Sequence, residues 1–189
     1  MLIQCDKELL PILANELKQY EISENGQPLR ITITSGSGQI AATRQPIMDF
    51  TDIDGIVVFS ATPLVPQTSR LILVGISKMT TEGSENIRQT QATVFLMHEI
   101  MSEGIHNVCD AVMAKTRECQ QAALVVDMSV VEEPGGMSVR ELLYFIHRLA
   151  HTKKITTAEV TRISDGKAAA KIITEIAALL LLNSNERFK

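Results

Sequence analysis

The chain contains no tryptophan, and aromatic residues fill only 4% of its 189 positions. It therefore lacks the stacking platforms that hold single-stranded nucleic acid. A basic surplus is missing as well, since 18 Lys+Arg against 22 Asp+Glu leave a net charge of −4 and a sequence pI of about 5.6. With no positive excess to meet phosphates, neither nucleic acid nor an anionic membrane surface is an expected partner. Cysteine is scarce: Cys5, Cys109 and Cys119 form an odd set with no CxxC and no ligand rhythm. That excludes a disulfide scaffold, fits a reducing compartment and makes the cytoplasm the expected location. Long apolar runs are absent too. The longest, Ile176 to Leu182, falls far short of the roughly 18 to 20 residues of a membrane span. The opening MLIQCDKELL brings charge before any apolar stretch of signal-peptide length, so no targeting segment is expected.

What is present is enough apolar material for a core. At 45% apolar residues and a mean hydropathy of +0.11, the chain is expected to fold as a single domain over 1–189. Short β-branched runs alternate with helical patterns, which predicts an α/β domain with a mainly parallel central sheet between helix layers. Strands are predicted at 30–34, 55–60, 70–76, 93–96, 122–127 and 155–161. Most are continuous apolar runs, as required of strands covered on both faces. Helices are predicted at 6–20, 38–48, 82–91, 98–103, 105–119, 138–152 and 166–182. Ser138 followed by Glu141 is a capping box that starts one of them after Pro134-Gly135-Gly136, with Leu142, Leu143, Phe145, Ile146 and Leu149 as its apolar face.

Few residues announce chemistry. Ile33 to Gln39 (ITSGSGQ) joins a predicted strand to a predicted helix, where backbone N–H groups can cradle an anion, but it has neither P-loop nor GxGxxG spacing and reads as a tight turn. Ser37 has no base partner in the sequence. His147 and His151 stand four apart on one helix without a Glu or Cys at a companion position, and His151 falls at the C-terminal end, where an imidazolium favours the helix dipole, so they are not expected to be metal ligands. His98 and His106 are expected at the surface. Cys109 and Cys119 are expected to be inert. Asp127 ends an apolar run, and the carboxyl ends of parallel strands are where α/β folds seat ligands. Ser60 and Glu159 fall at or near two other strand ends.

Taken in order, VVDMSVVEEP, GGMSVRE and TTAEVTR, followed by the helical tail KAAAKIITEIAALLL, resemble the C-terminal half of the arginase, agmatinase and formiminoglutamase family. In that family the corresponding motifs are SFDxDxxDP, GGLTxRE and DxxEVNP. Working backwards, VFSATPL at 58–64 resembles the strand end FDAHTD, and SGSGQ at 35–39 resembles the turn GGDHS. The resemblance spans 33–182 and implies a three-layer αβα, arginase-like fold.

It also implies what has changed. Family enzymes use two bridged manganese ions to generate the hydroxide that attacks a guanidinium or formimino carbon. At the implied metal positions this chain carries Gly38 for His, then Ser60, Thr62 and Leu64 for Asp, His and Asp. Ser129 replaces the second Asp of DxD, and only Asp127 matches. One carboxylate does not offset the dehydration of two divalent cations, so neither manganese nor any other cofactor is expected, and no catalytic residue is assigned. Ser37, Gly38, Ser60, Thr62, Asp127, Ser129 and Glu159 would line a vestigial cleft.

The expectation is a non-catalytic family member with a binding or assembly role, forming a homo-oligomer. The alternative is a hydrolase of C–N bonds in a guanidino or formimino small molecule, working metal-free through Ser60, Asp127, Ser129 and Glu159. Asp127 and Glu159 could also hold a cationic small molecule without turning it over, or Asp127 could simply accept from backbone N–H groups at its strand end.

Overall fold

The computed structural model describes residues 2–4, 21–23, 29–33, 38–43, 50, 52–66, 68, 70–163 and 166–187, with side chains in the part from Phe50 to Leu180. The strands are β1 (Leu2–Gln4), β2 (Glu21–Ser23), β3 (Leu29–Ile33), β4 (Gly38–Thr43), β5 (Gly55–Phe59), β6 (Arg70–Ile76), β7 (Thr93–Leu96), β8 (Ala122–Asp127) and β9 (Ile155–Thr161). The helices are α1 (Thr81–Thr90), α2 (Met97–Glu103), α3 (Ile105–Arg117), α4 (Ser129–Glu132), α5 (Val139–Ala150) and α6 (Gly166–Arg187).

One sheet orders the strands β2-β1-β3-β4-β9-β8-β5-β6-β7. From β4 to β7 every neighbouring pair is parallel, whereas β3 runs antiparallel to both β1 and β4. The central strands β5 and β8 are buried at every residue, which is why their sequences GIVVF and AALVVD show no alternation. One face packs Val57, Phe59, Leu124 and Val126 against α3, α5 and α6 through Val112, Leu142, Phe145, Ile146 and Ile173. The other packs Ile56, Val58, Leu73 and Val125 against Leu64 and the α1 residue Ile87. Helices on both faces of a mainly parallel sheet make the predicted three-layer αβα arrangement.

The helix starts follow local chemistry. The Ser138 hydroxyl accepts from the Glu141 N–H at 3.2 Å while the Glu141 carboxylate accepts from the Ser138 N–H at 2.7 Å, closing the predicted box at the head of α5. Replacing Ser138 with Ala should cost about 1 kcal/mol. The check is a lower denaturant midpoint with an unchanged slope.

Two expectations fail at the N-terminal side. Residues 38–43, predicted to begin a helix, form β4 instead, because this stretch gains a full ladder of partners on both sides, β3 and β9. Pairing with two strands outweighs the modest helix preference of Gln39, Ala41 and Ala42. β3 and β4 therefore pair antiparallel with Ile33 facing Gly38, so the anion cradle loses the helix N-terminus on which it depended. Short β1, β2 and α4 went unforeseen, while the helix predicted over 6–20 lies outside the described residues.

Candidate functional site

The register sets the site. Val58, Val125, Glu159 and Ala41 form one row across the sheet, and Phe59, Val126, Val160 and Ala42 form the next. One residue further, Asp127 faces Thr161, which faces Thr43. Ser60 continues β5 into the same row, its N–H donating to the Val74 carbonyl at 3.1 Å. The carboxyl ends of four parallel strands thus present Ser60, Asp127, Thr161 and Thr43 side by side.

Asp127 is the hub. It is completely buried, as are Ser60 and Thr161. Its Oδ1 accepts from the Ser129 N–H at 3.0 Å, and its Oδ2 accepts from the Ser60 hydroxyl at 2.8 Å. The same hydroxyl lies 2.6 Å from the Thr62 carbonyl and accepts from the Thr62 N–H at 3.2 Å, so its single proton serves either Asp127 or that carbonyl. Further ties bind the strand-end loops: the Ala61 N–H donates to the Ser129 hydroxyl at 3.2 Å, and the Met128 N–H to the Thr161 carbonyl at 3.0 Å.

The charge on Asp127 is met by Arg162. The guanidinium Nη1 lies 3.2 Å from Asp127 Oδ2 and donates to the Thr62 hydroxyl, also at 3.2 Å. Arg162 follows β9 directly, with a φ of 54° in the left-handed region. A side chain there costs about 1–2 kcal/mol, offset here by the two contacts that the kink makes possible. The arginine side chain is 40% exposed while its carboxylate partner is wholly enclosed, so Arg162 covers Asp127 from the solvent side.

The end of β6 and the loop after it brace this cluster. Gly75 has a φ of 84°, and a Cβ there would meet Val130 Cγ2 at 2.7 Å, so only glycine lets the strand bulge beside α4. Beyond it, the Ser77 and Lys78 N–H groups both donate to the Ala61 carbonyl, and the Lys78 ammonium pairs with Glu133 at 2.5 Å.

The predicted cleft residues divide accordingly. Ser60, Thr62, Asp127 and Ser129 converge. Glu159 does not join them at the rim: it lies two residues back in β9, about 7 Å along the strand, and is 1% exposed with its own interactions. Gly38 starts β4 and so sits at the opposite end of the sheet, since β4 runs parallel to β9 and its Thr43 is the residue that reaches Thr161. The resemblance of SGSGQ to a metal-binding turn thus placed Gly38 at the wrong end of a strand. Ser37 lies outside the described residues. Leu64 packs into the apolar layer beside Ile56 and Leu73.

Arg162 is the residue that sequence reasoning passed over. In TTAEVTR it stands at the proline of the DxxEVNP pattern, a departure that marks the position without naming its partner.

Elsewhere the chemistry is quiet. His98, His106, His147 and His151 are exposed, with His106 against the Tyr144 hydroxyl at 2.6 Å and His147 against Glu175 at 3.1 Å. Among the described residues no group of three His, Cys, Asp or Glu is placed to hold a metal ion. Burial pushes the Cys109 thiol up to about 11 and raises that of Cys119, so neither is a thiolate nucleophile at neutral pH. An apolar crevice lined by Leu124, Ile146, Leu149, Ile155 and Ile176 opens near the start of β9, away from the strand-end cluster, and brings no polar group with it. No helix among the described residues is long and apolar enough to cross a membrane.

Comparison with known proteins gives this geometry a lineage. Among solved structures, the agmatine ureohydrolase of Thermoplasma volcanium superposes with a TM-score of 0.63 at 13% identity, covering 95% of this chain and 69% of that one. The arginase of Entamoeba histolytica, solved in complex with L-ornithine, gives 0.62 at 13% identity over 92% and 90% of the two chains. Formimidoylglutamase from Bacillus subtilis gives 0.59 at 15% identity over 67% and 53%. At such identities the likeness is one of fold. The matched region spans only 44% of the Bacillus subtilis arginase, which superposes at 0.51 with 20% identity over 56% of this chain. No curated protein sequence matches the chain significantly. The sequence profile of the Arginase family, however, matches residues 23–184, most of the chain, and the chain therefore belongs to the arginase family.

Proposed function

We propose that this chain is a non-catalytic member of the arginase family, its binuclear manganese centre replaced by a metal-free polar cluster and its role one of binding or assembly, as a homo-oligomer. The observation that carries this reading is the engagement of Asp127. The one carboxylate matching a family ligand accepts from the Ser60 hydroxyl and the Ser129 N–H and pairs with Arg162. Hydroxyls of Ser60, Thr62 and Ser129 stand in the same cluster, and Leu64, the other implied ligand position, packs into the apolar layer. Such a donor set does not fit two divalent cations, whose lost hydration must be replaced by several anionic or imidazole ligands, and an adjacent guanidinium repels them further.

The alternative, metal-free hydrolysis of a C–N bond, would rest on the 2.8 Å contact between the Ser60 hydroxyl and Asp127. The Asp127 carboxylate is already engaged by the Arg162 guanidinium and the Ser129 N–H, and no imidazole stands among the cluster residues to relay the proton. The binding or assembly reading is therefore preferred.

The test is elemental mass spectrometry on protein purified without chelator and again after incubation with manganese, beside a solution mass measurement. The expected outcome is well under one manganese per chain in both samples and a mass above that of the monomer. Two manganese ions per chain would overturn the reading and call for assays with guanidino and formimino substrates.

A further inference from the structure

We infer that Arg162 is a built-in cation that permanently fills the charge site of the cleft, so that the wild-type protein refuses the cationic ligands for which the Asp127 carboxylate would otherwise be competent. The inference rests on the metal-free reading above and goes one step further, to what replaced the metal and what the cleft can bind.

A wholly buried carboxylate needs a compensating positive charge or a dense set of donors. Among the described residues Asp127 has two neutral donors, the Ser60 hydroxyl and the Ser129 N–H, and one cation, Arg162. Arg162 reaches it from the residue just past the end of β9, through a left-handed turn that side chains other than glycine or asparagine rarely adopt. The turn directs the guanidinium back across the strand ends, where it joins the carboxylate of β8 to the Thr62 hydroxyl of the loop after β5.

The exposure pattern points the same way. With Asp127 enclosed and Arg162 40% exposed, an incoming amine or guanidinium meets a positive group first and would have to displace it. Glu159, the second carboxylate that might have drawn such a ligand, is 1% exposed and already engaged. The expectation that Asp127 and Glu159 together hold a cationic small molecule is thereby replaced: the cation is part of the chain.

Removal of the tether should create the site. In an Arg162→Ala protein, Asp127 keeps its neutral donors but loses its counter-charge, and a free methylguanidinium ion has the planar, two-donor shape to take the vacated place. The experiment measures melting temperature for wild type, Arg162→Ala, Asp127→Asn and the double variant, each with and without 10 mM methylguanidinium chloride, with potassium chloride at equal ionic strength as control. The expected result has three parts. Arg162→Ala melts several degrees below wild type. Adding Asp127→Asn to it recovers much of that loss, because the unpaired charge is gone. Methylguanidinium raises the melting temperature of Arg162→Ala alone and leaves the wild type and the double variant unmoved.

Additive effects of the two substitutions, or an equal methylguanidinium shift in all four proteins, would overturn the inference. If Arg162→Ala does not fold, Arg162→Lys against Arg162→Gln decides: the lysine, which keeps the charge, should melt close to wild type and the glutamine well below it, and equal melting of the two would overturn it. Stoichiometric manganese in the wild type would instead overturn the metal-free reading, so the two failures are distinguishable.

Discussion

Asp127→Ala is expected to lower stability by about 3 kcal/mol, the low end of what breaking a buried ion pair costs, because Arg162 can return to water once its partner is gone. In a chain of this length that corresponds to a fall of about 6–12 °C in melting temperature. The loss has three sources: the Ser60 hydroxyl, the Ser129 N–H and the Arg162 guanidinium each lose an acceptor. Asp127→Asn should fall between the two, since the amide oxygen can still accept from Ser60 while the charge is lost. Thermal denaturation by circular dichroism checks both. A melting temperature for Asp127→Ala within about 1 °C of wild type would mean that the cluster does not hold the three strand ends together.

Phe145→Ala is expected to cost about 3–5 kcal/mol, and to act on the site as well as on the core. Phe145 on α5 is fully buried and meets the ring of Phe59 edge-on, with centroids 5.3 Å apart and planes at 64°. Phe59 is the last residue of β5, and Ser60 follows it directly. Truncation of Phe145 leaves a cavity beneath the strand end that carries Ser60, so the melting temperature should drop on the order of 10 °C. Hydrogen exchange should also accelerate at the Ser60 N–H, which is bonded to Val74, more than at the Gly104 N–H, which caps α2. Exchange rising equally at both would show a general loss of stability with no particular coupling of Phe145 to the site.

Both expectations concern strand ends, since Asp127 closes β8 and Phe59 closes β5. The apolar residues that build α5 were legible because their 3.6-residue spacing is a local property, and the capping box at Ser138 and Glu141 marked its start to the residue. The six strands from 29–33 through 155–161 that were read as β-branched runs are present, with small shifts at their ends. By contrast β4 was misread, because GQIAAT is no stronger a strand former than a helix former and its state is decided by β3 and β9 on either side.

The site was legible in part for the same reason. Asp127 and Ser60 stood out because they end apolar runs read as parallel strands, where α/β folds seat ligands, and Ser129 followed from the ordered resemblance of motifs. Gly38 was misplaced because a motif match says nothing of strand direction. Its strand begins where the match required it to end. Glu159, read as lying at or near a strand end, is on the strand expected for it but two residues from the rim.

The sequence by itself determined the α/β class, the buried central strands, the family and the single matched carboxylate, because each depends on local spacing or on an ordered string of residues. Tertiary structure alone decided which charge Asp127 meets. Arg162 is 35 residues away along the chain, and nothing in its neighbours identifies it as the partner. The parallel register of β8 on β9 brings Asp127 opposite Thr161, and the left-handed turn just beyond then delivers the guanidinium to the carboxylate. A pairing fixed by register and by one backbone angle leaves no trace in hydrophobic periodicity, and so it could be seen only once the strands were laid side by side.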